Sequence, residues 1–195
     1  MYVTTRFIGT ERGTMNYLFL LLTEDYIEEN RKIAEGITPL LNRFARKIGD
    51  TGALVRPFPG DEEETLGNAL SKNWTEGQIM HMRGSLPALL VIDKDFDEFN
   101  PTDSNYIYIS LRSSIDEYGN VKLFQLQELL TLLADACATP ELFSTARKYL
   151  RVQDKRVLWE ALELKPEVVG FSFDLKKGAE FLRLLSQRRQ SFGTA

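Results

Sequence analysis

The sequence predicts an α/β protein, a mixed sheet flanked by helices. Three observations carry this expectation. Short apolar runs of strand length recur along the chain: Asn16–Leu22, Leu86–Ile92 and Tyr106–Leu111. Between the first two lies a long stretch with apolar residues at three- and four-residue steps, the period of a helix. Helical and extended patterns then alternate, which favours a layered sheet over a bundle or a sandwich.

The elements follow in order. Tyr2–Ile8 holds Val3, Phe7 and Ile8 among threonines and reads as a short edge strand. Asn16–Leu22 is continuously apolar, as a strand buried on both faces should be. Asp25–Ile48 reads as helical, with Ile33, Ile37, Leu40, Leu41, Phe44 and Ile48 on one stripe. Its acids (Glu24, Asp25, Glu28, Glu29) stand at the start and its cations (Arg43, Arg46, Lys47) at the end, as the helix dipole favours. Pro39 either kinks this helix or opens a second one capped by Thr38. Gly52–Pro57 reads as a strand, Asp61–Lys72 and Trp74–Met82 as helices, and Leu123–Cys137 as a strongly apolar helix. Helices are expected at Pro140–Tyr149, Asp154–Glu163 and Leu175–Arg189, with a last strand at Val168–Phe173. Ala138–Thr139–Pro140 is a candidate linker. The expected organisation is an α/β domain over residues 1–138 and an α-rich C-terminal extension over 139–195 packed on it.

The first two strands are separated by enough helix for a parallel crossover. Asp93–Asn105 contains no convincing helix, so the strands on either side of it should be antiparallel neighbours. This order resembles the thioredoxin-like superfamily over about residues 14–138, and the clearest local match is Ser85-Leu86-Pro87-Ala88-Leu89-Leu90-Val91-Ile92. The resemblance implies a proline, usually cis, before the third of the superfamily's strands. It also implies that extended peptides dock beside that proline by main-chain pairing. The superfamily's redox CxxC would fall between the first of those strands and its helix, where this chain reads Thr23-Glu24-Asp25-Tyr26-Ile27-Glu28. Without a thiol there is no thiol–disulfide exchange. The one cysteine, Cys137, lies near the end of an apolar helix and reads as a buried, inert thiol. Glutathione transferases join a similar half to a helical half, and Thr23 or Tyr26 stands near their activating position. The helical half here is too short for them, and Asp93-Lys94-Asp95 stands where they carry a Glu/Gln-Ser pair.

Composition narrows the chemistry. The chain has 195 residues, 43% of them apolar, with 24 Lys+Arg against 28 Asp+Glu, enough for a real core and a net charge of −4. That charge argues against non-specific nucleic-acid binding. Residues 139–195 carry 11 Lys+Arg and 7 Asp+Glu (net +4), and residues 1–138 carry 13 and 21 (net −8). Basic clusters at Arg147, Lys148, Arg151, Lys155 and Arg156, and at Lys176, Lys177, Arg183, Arg188 and Arg189, fit a solvated or acid-pairing face better than RNA contact. The longest apolar run, Tyr17–Leu22, is too short to span a bilayer, and the first residues lack the pattern of a secretory signal. A cytoplasmic protein is expected. A lone His81 excludes chemistry that needs two histidines, such as HExxH, and leaves a single-histidine general base open. The glycines make neither GxGxxG nor GxxxxGK[ST]. No cofactor is expected.

Two constellations remain. Phe96, Phe99, Tyr106, Tyr108 and Tyr118 cluster in sequence around two strands, and alternation there should expose some of them to a protein partner. Core packing is the competing account. Asp93, Asp95 and Asp97 follow an apolar strand and could hold a divalent cation, although the spacing fits neither an EF-hand nor the haloacid-dehalogenase pattern. The expected function is therefore a non-catalytic protein-interaction or regulatory module. It would bind through Pro87, Phe96, Phe99, Tyr106 and Tyr108, and could be a subunit of a larger signalling or defence assembly. A metal-dependent hydrolase or nuclease using Asp93, Asp95 and Asp97 is the alternative.

Overall fold

A computed structural model describes residues 2–5, 15–24, 28–57, 60–112, 122–144, 170–173 and 179–183. The strands are β1 (Tyr2–Thr5), β2 (Tyr17–Leu22), β3 (Gly52–Pro57), β4 (Ala88–Ile92), β5 (Tyr106–Ser110) and β6 (Gly170–Phe173). The helices are α1 (Glu28–Ile48), α2 (Glu62–Leu70), α3 (Glu76–Gly84) and α4 (Leu123–Ala136). The strands form one mixed sheet in the order β1-β3-β2-β4-β5-β6. β1 and β2 are both parallel to β3, β4 is antiparallel to β2 and to β5, and β6 is parallel to β5. The Leu86–Pro87 peptide bond is cis.

Alternation along β2 divides the core. Tyr17, Phe19 and Leu21 face one side, where they meet Ile37, Leu41 and Phe44 of α1 and Leu126, Leu129 and Leu133 of α4. Leu18, Leu20 and Leu22 face the other, with Leu66 and Leu70 of α2, Trp74, and Met82 of α3. Every residue of β2 is buried, so the strand reads apolar throughout because both faces are covered.

α1 runs unbroken through Pro39, which lies on its exposed side. The proline supplies no N–H to the carbonyl four residues back. Thr38 Oγ1 donates to the Ala34 carbonyl at 2.8 Å and accepts from Arg56 Nη1 at 2.8 Å. α1 and α4 run side by side, with Lys47 Nζ 2.7 Å from Asp135 at their C-terminal ends.

The expected linker is a tied turn. The Tyr17 hydroxyl donates to the Thr139 carbonyl at 2.8 Å and accepts from the Leu142 amide at 3.0 Å. Leu142, Phe143, Ala179, Phe181 and Leu182 join the α1/α4 core. The described parts of 139–195 thus share both the sheet and the core of the first 138 residues. The expected helix over 154–163 lies outside the described residues.

Candidate functional site

Five of the six strands (β1, β2, β3, β5 and β6) point their carboxyl ends toward the same edge of the sheet, and β4 begins there. In α/β sheets that edge is where ligand-binding groups collect. The register sets Leu22, Ala88 and Ser110 side by side on β2, β4 and β5. One residue further, it brings Thr23, Pro87 and Leu111 abreast, and the Leu111 amide donates to the Pro87 carbonyl at 2.8 Å.

The edge is unusually polar for its burial. Five polar or charged side chains are buried among the described residues, and three of them sit here: Thr23, Glu24 (5% exposed) and Ser110. Buried polar groups are the informative exceptions in a globular protein. Thr23 Oγ1 is enclosed with no hydrogen-bond partner among the described residues.

Beside them the turn from α3 into β4 is stitched to the end of β5. The Tyr108 hydroxyl donates to the Met82 carbonyl at 3.0 Å and lies 3.1 Å from Ser85 Oγ. Ser85 Oγ donates to the His81 carbonyl at 2.6 Å, and Ser110 Oγ donates to the Ser85 carbonyl at 2.6 Å. Arg112 Nη1 donates to the Gly84 carbonyl at 2.9 Å. The His81 ring meets Tyr108 edge-on at 6.2 Å. These bonds satisfy the orphan carbonyls at the end of a short helix.

Burial opposes acid–base use of the Tyr108 hydroxyl and nucleophilic use of the Cys137 thiol. Burial pushes the Tyr108 hydroxyl well above its ordinary pKa. The Ser85 hydrogen bond pulls it partly back, and the Glu24 carboxylate raises it again. Tyr108 therefore stays a neutral donor across the physiological range. Cys137 is fully enclosed in the α1/α4 core, where burial pushes its thiol up as well. A thiol so placed is a poor nucleophile.

The sequence-derived candidates separate. Pro87 lies at this edge and is buried. The exposed aromatic surface expected at Phe96, Phe99, Tyr106 and Tyr108 is absent: all four are core, at most 7% exposed. The reason is tertiary. Alternation sends Ile107 and Ile109 to one face and Tyr106 and Tyr108 to the other, but helices cover both faces. Trp74 packs edge-on to Tyr106 at 4.9 Å and against Phe99 at 5.7 Å. Tyr118 lies outside the described residues. Among the described residues, the exposed large apolar side chains are Met80, Leu123 and Phe124.

Asp93, Asp95 and Asp97 lie past the far end of β4, at the opposite edge. They do not converge: among the described residues no three His, Cys, Asp or Glu side chains come together to hold a metal ion. Asp93 Oδ2 instead accepts from Asn105 Nδ2 at 2.8 Å, and the loop is fastened by Phe96 and Phe99 in the core. Ser110 and Arg112 carry no motif in the sequence, and Glu24 reads there only as a helix-start acid. Their signal was positional, polar residues at the ends of apolar strands, and it becomes visible only once the strands are aligned.

No helix among the described residues is long and apolar enough to cross a membrane. Comparison with protein-family models, with curated proteins and with solved structures finds no match to this chain.

Proposed function

We propose that the chain is a non-catalytic protein-interaction module built on a redox-inactive thioredoxin-like sheet. Its partner docks at the carboxyl edge around Ser85–Pro87 and Ser110–Arg112. The observation that carries this reading is that buried Thr23 and Glu24 lie at the same sheet edge as the Leu86–Pro87 junction. The sheet order is what the resemblance would call for. Between the strand and the helix, where the resemblance would put the redox pair, the chain reads Thr23-Glu24-Asp25-Tyr26-Ile27-Glu28, with no cysteine. An edge held rigid by side-chain bonds to its carbonyls suits recognition of a docked segment.

The reading includes a cytoplasmic setting, in which one reduced, buried cysteine is ordinary. Membership of a signalling or defence assembly extends it by analogy of fold. Affinity capture of the tagged chain from its host at moderate salt, followed by hydrogen exchange of the complex, tests it. A stoichiometric protein partner that protects amides in 84–88 and 110–112 is the expected result. A partner that protects only the opposite edge, or the absence of any partner, overturns it. The alternative, a hydrolase or nuclease on Asp93, Asp95 and Asp97, lacks a converged ligand set.

A further inference from the structure

The rim of this edge has a chemistry of its own. Met80, Arg83 and Gly84 stand at i, i+3 and i+4 on α3 and so share one helix face. Arg112 reaches that face from the end of β5 through its bond to the Gly84 carbonyl. Met80 is 68% exposed, and Arg83, Arg112 and His81 are exposed as well. Arg83 makes no ion pair among the described residues. Arg112 spends one guanidinium nitrogen on a carbonyl, which fixes the group, and its other N–H donors have no partner among the described residues.

The charge here runs against its surroundings. Residues 1–138 carry net −8, yet residues 77–92 and 104–112 contain no Asp or Glu at all. The nearest acid along α3, Glu76, precedes Arg83 by seven residues, about 10 Å along the axis. Glu24 is buried beneath the edge rather than on its rim. Two cations around an exposed methionine form a site with an adaptable apolar centre and a basic border.

We propose that the rim formed by Met80, Arg83 and Arg112 binds an acidic segment of a protein partner, seating an apolar side chain on Met80 between two carboxylates held by the arginines. This rests on the docking reading above and names its partner's chemistry. Arginine suits carboxylate because its planar fork matches both oxygens. Nucleic acid, the other common polyanion, offers phosphates but no aliphatic anchor.

The probe is a fluorescein-labelled peptide of alternating Glu and Leu, titrated with the full chain by fluorescence anisotropy. Saturable binding that weakens as salt is raised is expected. Arg83→Glu with Arg112→Glu should weaken it about tenfold or more, and Met80→Ser several-fold. A peptide of alternating Lys and Leu should not bind. Both arginines are exposed, and Arg83→Ala with Arg112→Ala gives a milder second variant if the reversal unfolds. Undiminished binding by both double variants, or tighter binding of single-stranded RNA than of the Glu–Leu peptide, overturns the proposal. A host partner that still binds the charge-reversed chain while protecting residues 84–88 sinks this inference alone and leaves the docking reading standing.

Discussion

The two faces of the sheet are held by different means. On one, α1 of 21 residues and α4 of 14 lie side by side over a core that is almost wholly aliphatic and phenylalanine. On the other, α2 and α3 have nine residues each, and the core beneath them includes Trp74, Tyr106 and Tyr108, whose polar tips are hydrogen-bonded. Trp74 Nε1 donates to the Ala69 carbonyl at 2.8 Å, Gln78 Nε2 donates to the Tyr106 hydroxyl at 3.1 Å, and Tyr108 reaches Met82. Helices this short bury too little apolar area to hold their own geometry. Directional bonds supply the position that packing leaves loose. The candidate edge belongs to this second face, and the same bonds that fix α3 also rigidify the rim.

The largest expected effect breaks the first face. Phe19 is fully buried and meets Phe44 edge-on at 5.0 Å. Phe19→Ala should cost ~3–5 kcal/mol in denaturant unfolding. Because the cavity opens under α1, hydrogen exchange should rise there before it rises in α3. Equal loss in both would mean that the faces are one cooperative unit.

Gly52→Ala comes next. A Cβ there would lie 2.5 Å from Phe19 Cε2 and 3.2 Å from the Tyr17 carbonyl oxygen. The expected cost is ~1–3 kcal/mol. Adding Phe19→Leu should recover part of it in a double-mutant cycle, and strict additivity would refute the contact.

The second face is probed by Tyr108→Phe, which keeps the ring and removes the hydroxyl from Met82 and Ser85. Its cost should be ~1–2 kcal/mol, with faster exchange at the end of α3. This substitution also has a pH signature. The native state holds the Tyr108 proton more tightly than the unfolded chain does. The tyrosine's share of stability is therefore present below about pH 10 and lost as pH rises beyond it. Melting curves between neutral pH and pH 11 should fall less steeply in Tyr108→Phe than in wild type, and parallel curves would contradict the assignment.

The smallest effect is local to α3. The Thr75 hydroxyl accepts from the Gln78 amide while Gln78 Oε1 accepts from the Thr75 amide. Thr75→Ala should cost ~1 kcal/mol. If the short helix depends on its tethers, the loss should be larger in a Tyr108→Phe background than alone.

Much of the fold was legible because its signals are local. The run at 17–22 had to be a strand buried on both faces, since six consecutive apolar residues leave no polar side for solvent. The stripe from Ile33 to Ile48 had to be one helix face. Pro39 could not be decided from sequence, because whether a helix tolerates a missing N–H depends on which side meets solvent. The inward turn of the aromatic residues is hidden from sequence for a related reason. Alternation says that Tyr106 and Tyr108 share a face but not that α2 and α3 cover it, and Asp93–Asp97 looked like a ligand set only while their directions were unknown.

Composition and periodicity by themselves determined an α/β chain, the places of its strands and long helices, and a lone cysteine without a redox partner. They act over a few residues, so one strand or one turn suffices to reveal them. Tertiary structure alone decided that Thr23 and Glu24 lie at the same sheet edge as Pro87 and Ser110, that the tyrosines turn inward, and that Met80, Arg83 and Arg112 share a rim. Those neighbours are joined by strand register and helix cover, which bring together residues about 30 to 90 positions apart in the chain and which no short window can contain.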